Sequence, residues 1–292
     1  MRALDVHAAP ADFASLGVEF LQVDLRDTRA LIDAIKGVDV VFHLASVHLD
    51  VGAPYSEFEA VNVKAVAALV AACAENDVRR LVHVSSVGVY GHVEHPPATE
   101  SAPLRPENNY EKTKRAGEDA AREAAARLGV DLVIIRPSWV YGDGCPRTEK
   151  LIGALRGGKF FYIGAARNLR HPVYISDFLQ GMWLAANAGA EVSGATFNIA
   201  GPKWMTVQEM VVTFAQAIDA RPPTLRIPRW LGYWAGWAAE IVGGILKINP
   251  PISRRTLAFF ENDNAFDITA ARTRINYEPS TQLSEGVRLS VR

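Results

Sequence analysis

The sequence predicts an α/β fold built on a doubly wound parallel sheet. Three observations carry this. Short, continuously apolar, β-branched segments recur through the first half of the chain. Longer helical segments separate them. The polar residues that stand out lie where the strands end. Strands covered on both faces lose the apolar/polar alternation, and in such sheets ligands bind beyond the carboxyl ends of the strands.

The elements follow in order. Arg2-Ala3-Leu4-Asp5-Val6 opens the chain as a strand. Phe20-Leu21-Gln22-Val23-Asp24 is a short buried strand, and 28–36 a helix. Asp39-Val40-Val41-Phe42-His43-Leu44-Ala45 is again a strand, followed by an Ala- and Val-rich helix over 58–76. Arg80-Leu81-Val82-His83-Val84-Ser85-Ser86 is a strand, 109–128 a helix, and Asp131-Leu132-Val133-Ile134-Ile135-Arg136 a strand. The second half is less regular. Gly142-Asp143-Gly144-Cys145-Pro146 is a turn, 148–156 is helical, and 206–218 is a helix with Thr206 as its N-cap. Pro222-Pro223 ends that run.

Within this frame Tyr110 and Lys114 stand four apart, one helical turn, on the same face. A phenol titrates near about pH 10 in water, too high for a base at neutral pH. A neighbouring cation favours the phenolate and lowers that value. Ser86, at the end of a strand, offers a hydroxyl to hold a carbonyl or alcohol while Tyr110 moves the proton. Taken alone, the same spacing fits two exposed residues on an amphipathic helix.

In order along nearly the whole length run Asp24-Leu25-Arg26-Asp27, His43-Leu44-Ala45-Ser46, Val61-Asn62-Val63, Val84-Ser85-Ser86-Val87-Gly88-Val89-Tyr90-Gly91 and Tyr110-Glu111-Lys112-Thr113-Lys114. Then come Arg136-Pro137-Ser138-Trp139-Val140-Tyr141-Gly142, His171-Pro172-Val173-Tyr174-Ile175-Ser176-Asp177, Phe197-Asn198-Ile199-Ala200-Gly201 and Phe266-Asp267-Ile268. With these motifs the chain resembles an extended short-chain dehydrogenase/reductase of the NAD-dependent epimerase/dehydratase superfamily. The resemblance implies a Rossmann-like sheet with a smaller C-terminal substrate lobe. The expected division is a nucleotide-binding domain over 1–144 and a lobe over 145–292, with segments at about 172–201 returning to the first domain. Ser86 is then the catalytic hydroxyl, with Ser85 the fallback. Tyr110 is the acid/base, and Lys114 binds the nicotinamide ribose while tuning Tyr110. Asp24 and Leu25 face the adenine, Leu44, Ala45 and Ser46 the middle of the cofactor, and Pro137 and Ser138 the nicotinamide. Asn62 either holds a water that relays protons through Lys114 or bonds neighbouring backbone.

Family members begin with a strand, a Gly-x-x-Gly-x-x-Gly turn and a helix whose amides hold the pyrophosphate. Before Asp39 this chain has only Gly17 and Gly37. It therefore resembles a member whose first strand and first helix are missing. Asp5 becomes the carboxylate for the adenosine ribose, which favours NAD over NADP. The expectation is that the chain begins inside a longer reading frame, with Met1 in place of a Val codon. Roughly 25–35 upstream residues would then carry strand, glycine turn and helix.

The stretch 230–246 is apolar nearly all round and contains three tryptophans. It reads either as a lid over a hydrophobic pocket or as a helix in a membrane interface. Both readings imply a hydrophobic substrate. This stretch, Pro250-Pro251 and Arg136-Pro137 resemble the 3β-hydroxysteroid dehydrogenase-like branch. Arg170, seven before Asp177, stands instead where nucleotide-sugar epimerases carry an arginine for the substrate diphosphate; a solvated loop charge is the other reading.

Composition narrows the partners. With 31 basic against 32 acidic residues, nothing points to nucleic acid. Two cysteines make no disulfide framework, and seven scattered histidines show no metal spacing. The N-terminus carries no basic-then-apolar signal, so a reduced cytoplasmic setting is expected, with membrane contact through 230–246 on the interface reading. The expected partners are a small-molecule substrate and a second copy in a homodimer. The expected activity is NAD(P)-dependent hydride transfer at a secondary alcohol or ketone of a sterol-like substrate. The rivals are a nucleotide-sugar epimerase or dehydratase, and a non-catalytic remnant.

Overall fold

The computed structural model describes residues 1–11, 13–48, 53–234, 237 and 254–291. In chain order the elements are β1 (Arg2–Asp5), β2 (Glu19–Gln22), α1 (Thr28–Ala34) and β3 (Val40–His43), then α2 (Tyr55–Glu59) and α3 (Ala65–Glu75) joined by a π-turn at Ala60–Lys64. They continue through β4 (Arg80–Val84), α4 (Asn109–Leu128), β5 (Leu132–Pro137), β6 (Val140–Tyr141), α5 (Pro146–Arg156), β7 (Tyr162–Ile163), β8 (Leu169–Arg170), β9 (Val173–Tyr174) and α6 (Ile175–Asn187). After these come β10 (Thr196–Ile199), β11 (Met205–Thr206), α7 (Val207–Ala217) and β12 (Arg226–Ile227), with further helices at Arg254–Glu261, Thr269–Ile275 and Leu283–Leu289.

The chain divides into two compact units. The first comprises Met1–Val89, Leu104–Arg136 and Met182–Phe197; the second comprises Tyr90–Pro103, Pro137–Gly181 and Asn198–Arg292.

A four-stranded sheet of order β10-β5-β4-β3 forms the centre of the α/β architecture. β3, β4 and β5 run parallel, with His43 opposite His83 and Val84 opposite Ile135. Every residue of β4 and β5 is buried. That is why these strands read as continuous apolar runs in the sequence. Leu81 and Ile134 pack with Val66, Leu69 and Val70 of α3 and Ala121 and Ala125 of α4. The alanine-rich stretch of α4 is thus an inward face, whose small side chains let the helix lie close.

β1 and β2 pair parallel in a sheet of their own, Arg2 opposite Glu19 through Asp5 opposite Gln22. Among the described strands β1 pairs with β2 only, and β3 with β4 only. The described parallel strands β1–β5 thus form two separate sheets. The Arg2 guanidinium fastens β1 to α1, donating to the Ala34 and Lys36 carbonyls at 2.7 and 3.1 Å.

Several sequence-based boundaries move by one to three residues. The strand expected over 39–45 ends at His43. The helix expected over 58–76 begins at Tyr55 and is interrupted by the π-turn. The interruption has a packing cause. A Cβ on Gly117 of α4 would lie 2.2 Å from the Asn62 carbonyl oxygen, so the two helices approach backbone to backbone there. π-turns of this kind mark local constraint and frequently function. Thr206 caps α7 as expected, accepting from Glu209 N, and the Glu209 carboxylate accepts from Thr206 N.

The second unit has its own core, in which Tyr141, Tyr162, Ile163, Phe214 and Val287 are buried. Short pairs β6–β9, β8–β11 and β7–β12 tie it together. The stretch 230–246 lies outside the described residues beyond 234, apart from Trp237. No helix among the described residues is long and apolar enough to cross a membrane.

Candidate active site

The site is organised by the N-terminal half of α4. Its start is fixed by a capping box: Asn108 Oδ1 accepts from Glu111 N at 3.0 Å, while Glu111 Oε2 accepts from Asn108 N and Glu107 N. The Glu111 side chain also closes on the loop after β4. A Cβ on Gly88 would lie 2.9 Å from Glu111 Cγ and 3.3 Å from Ser86 Oγ. The loop carrying Ser86 therefore lies against the first turn of α4, where Tyr110 sits. Ser86 Oγ accepts from Gly88 N at 3.1 Å, which orients the hydroxyl. Ser85 is buried and its hydroxyl has no hydrogen-bond partner among the described residues.

One turn further, Lys114 is buried and Nζ donates to the Val84 carbonyl at 2.6 Å, at the carboxyl end of β4. Burial pushes its pKa down to about 8, and Glu118 opposes that shift. Glu118 does not neutralise Lys114 outright, because Arg136 claims its carboxylate. Arg136 Nε and NH2 reach the two Glu118 oxygens at 2.9 and 2.6 Å in a buried, two-bond pair. A lysine with one bond made and a depressed pKa is a cation held at a cost, the condition in which lysines become chemically useful.

Two histidines complete this environment. His43 and His83, opposite each other on β3 and β4, stack with centroids 5.1 Å apart. Both are buried, and none of their four ring nitrogens has a partner among the described residues. Burial, then Lys114, pushes His43 down to about 3; the same two causes lower His83. Both rings are therefore neutral at physiological pH.

Asn62 stands on the π-turn. Its Oδ1 accepts from Val47 N at 2.9 Å, and Nδ2 donates to Val47 O and Thr113 Oγ1, each at 3.1 Å. These bonds tie the loop after β3 to α4 and use both amide hydrogens. The amide thus bonds a distant loop and helix rather than the neighbouring backbone of its own turn. His48 in that loop packs on Tyr110, with ring centroids 4.5 Å apart. Asn62 thus positions the loop that meets Tyr110.

The remaining expected residues have surroundings of their own. Asp5 is exposed at the end of β1, and Oδ1 accepts from His7 N at 2.9 Å. That bond, with the His7 ring, holds the carboxyl below the usual carboxylate range. Asp24 is held likewise by Arg26, whose Nε bonds both oxygens at 3.0 Å. Leu25 packs against the first unit's core. Leu44 and Ala45 are exposed and Ser46 half-buried. Pro137 and Ser138 belong to the second unit, where Ser138 N donates to Ile199 O at 2.9 Å and its buried hydroxyl has no partner. Arg170, also in the second unit, is buried. Its guanidinium donates to the carbonyls of Leu169, Ala258, Phe259 and Asn262 and lies 4.7 Å from the Phe259 ring centroid. It caps the carboxyl end of the 254–261 helix, so the structure does not support the diphosphate role.

Two of these residues carry groups of the chemistry that ribose hydroxyls bond. Asp5 offers an exposed carboxylate, and Lys114 has donors beyond the one that Val84 uses. No Gly-x-x-Gly-x-x-Gly turn occurs in the sequence to hold the pyrophosphate. Sequence reasoning passed over His43, His83, Glu111 and Glu118. The spacing Asn108-x-x-Glu111 is a legible capping box, and Glu118 lies one turn beyond Lys114. Nothing in the sequence marks the histidine pair.

Comparison with known proteins agrees with this architecture. The chain is 30% identical over 270 residues to N-acetyl-alpha-D-glucosaminyl-diphospho-ditrans,octacis-undecaprenol 4-epimerase of Escherichia coli O157:H7, covering 90% of this chain and 80% of that protein. It is 26% identical over 294 residues to 3beta-hydroxysteroid-dehydrogenase/decarboxylase isoform 2 of Arabidopsis thaliana, covering 94% of this chain and spanning 51% of that relative's length. Its fold matches the crystal structure of UDP-glucuronic acid 4-epimerase from Bacillus cereus in complex with NAD, with TM-score 0.79 at 20% identity, over 99% of this chain and 88% of that one. The model of the NAD dependent epimerase/dehydratase family matches residues 2–200, a span that takes in Asp5, Ser86, Tyr110, Lys114 and Arg136, and the chain belongs to that family.

Proposed function

We propose that the chain is an NAD-dependent oxidoreductase acting at a secondary alcohol or ketone of a hydrophobic, sterol-like substrate. The observation that carries this reading is Lys114, buried with an incomplete hydrogen-bond set one turn from Tyr110 and beside the Ser86 loop. NAD, when bound, supplies the hydride acceptor or donor. Ser86 holds the substrate oxygen. Tyr110 takes the hydroxyl proton in oxidation and returns it in reduction. Lys114 favours the phenolate and binds the nicotinamide ribose. Asp5 disfavours a 2′-phosphate, so NAD is preferred to NADP. Pro137 and Ser138 approach the nicotinamide, and Leu44, Ala45 and Ser46 the cofactor's middle.

The hydrophobic substrate is supported from two sides. The sequence around 230–246 is aromatic and apolar. The names of the Arabidopsis and E. coli relatives specify a steroid and a polyprenol-linked substrate. The E. coli name also keeps a second reading, 4-epimerisation of a sugar, in which the same triad would serve.

Tyr110→Phe tests the assignment. Turnover should fall by about 10²–10⁴-fold while cofactor affinity, read by fluorescence titration, is retained. Retention of more than about a tenth of the rate would remove Tyr110 from its role. Activity confined to nucleotide-linked sugars would reverse the choice of substrate.

A further inference from the structure

The helical residues 229–234, with Trp237, turn an aromatic face outward. Trp230, Tyr233, Trp234 and Trp237 are spaced i, i+3, i+4 and i+7, one side of a helix. They are 64, 50, 64 and 55% exposed. The opposite side is the anchored one. Gly232 is buried, and a Cβ there would lie 2.8 Å from Ile163 Cγ2 and 3.2 Å from Leu257 Cδ2. An ordinary surface helix buries its apolar stripe. Here the smallest residue faces inward and the tryptophans face out. Tyr233, Trp234 and Trp237, with Leu257, line an apolar hollow of about 450 Å³.

Charge identifies what this face meets. Across the whole chain basic and acidic residues nearly cancel. By sequence, 221–255 holds six basic residues, Arg221, Arg226, Arg229, Lys247, Arg254 and Arg255, and one acidic residue, Glu240, while the Tyr233 hydroxyl donates to Glu261 Oε2 at 2.7 Å. The rest of the chain is correspondingly acidic. Tryptophan and tyrosine favour the headgroup level of a bilayer, and clustered arginine and lysine favour its anionic lipids. A protein partner would need a matching acidic groove; an anionic bilayer answers both features at once.

We propose that the surface formed by Trp230, Tyr233, Trp234 and Trp237, with Arg229 beside it, docks the protein on an anionic lipid bilayer. The aromatic rings enter the headgroup region, and the basic residues hold the chain at the negative surface. This goes beyond the oxidoreductase reading and does not depend on it, since lipid binding requires neither cofactor nor substrate.

Sedimentation of the full chain with vesicles tests it. The chain should bind phosphatidylcholine vesicles doped with phosphatidylglycerol, bind pure phosphatidylcholine about tenfold more weakly, and release as salt is raised. The triple variant Trp230→Ser/Trp234→Ser/Trp237→Ser should bind at least about tenfold more weakly at an unchanged melting temperature, because exposed side chains contribute little to folding. Arg221→Gln/Arg229→Gln should weaken binding to the anionic vesicles only. Failure of the parent to sediment with anionic vesicles would overturn the proposal, as would equal binding by the triple variant. A melting temperature lowered by several degrees would show the rings to be packed within the fold. A dimer that the triple variant converts to monomer would assign the face to a second copy instead.

Discussion

Lys114 and Arg170 are both buried cations, one in each unit, and both stand at positions where a ligand role was expected. Their surroundings differ in one respect. Arg170 is wrapped by four carbonyls and a phenyl ring, and burial lowers its pKa from 12.5 to about 10, a fall equal to that of Lys114. Lys114 bonds one carbonyl, its nearest carboxylate is claimed by Arg136, and its pKa falls to about 8. Burial alone therefore does not mark a functional cation. A saturated one holds structure, whereas an unsaturated one has been left able to bind or to lose a proton.

The comparison breaks most visibly at Lys114. Lys114→Met should reduce turnover by at least about 100-fold, the lower range for losing control of an acid/base group. Its stability at pH 7 should not fall, because an undercompensated buried charge is removed. The pH dependence gives the sign. The lysine's pKa is depressed from 10.5 to about 8, so its contribution to stability is fully present above 10.5 and is lost as pH falls through 8. Urea unfolding of the parent should thus gain stability between pH 8 and 10.5, and the methionine variant should lack that rise. A large loss of stability with turnover retained would make Lys114 a structural residue like Arg170.

Arg170 sharpens the same contrast from the other side. Arg170→Leu removes a donor from each of the carbonyls of Ala258, Phe259 and Asn262 at the end of the 254–261 helix, which keep Asn262 N or Asn168 Nδ2 as their second donor. Each hydrogen bond lost costs roughly 0.5–1.5 kcal/mol, so a total loss of about 3 kcal/mol is expected. Turnover per folded molecule should be unchanged. A variant of undiminished stability that had lost activity would return Arg170 to the substrate.

The sequence carried what depends on local spacing. Tyr110 and Lys114 share a helix face because α4 is continuous, and β4 and β5 were legible because both of their faces are buried. What stayed hidden depends on crossings between distant elements. The Asn62 turn is π-shaped because Gly117, fifty-five residues on, lets α4 touch its carbonyl. Arg170 looked like a ligand because its seven-residue distance from Asp177 is visible, while the helix it caps lies some ninety residues later. Arg136 and Glu118 are ordinary residues until β5 and α4 bring them together. Spacing along the chain identifies a candidate, but whether its bonds are already taken is a property of the fold.

The smallest expected effect concerns the neutral rings beside Lys114. His43 and His83 stack at 5.1 Å with no partner for any ring nitrogen, so neither gains from being protonated. Burial and then Lys114 depress both pKa values, His43 to about 3. For a depressed group the stability contribution is fully present above the unfolded value of 6.5 and is lost as pH falls from there toward 3. The parent should therefore weaken steadily below pH 6.5 in urea titrations. His43→Phe/His83→Phe keeps two stacked rings of similar size, so its stability at pH 7 should lie within about 1.5 kcal/mol of the parent. Its acid limb should be flatter, because the proton-binding sites exposed on unfolding are gone. Identical acid limbs in parent and variant would mean that the two rings titrate normally and that the space beside Lys114 is open to water. The lysine would then be solvated rather than held at a cost, and its distinction from Arg170 would rest on position alone.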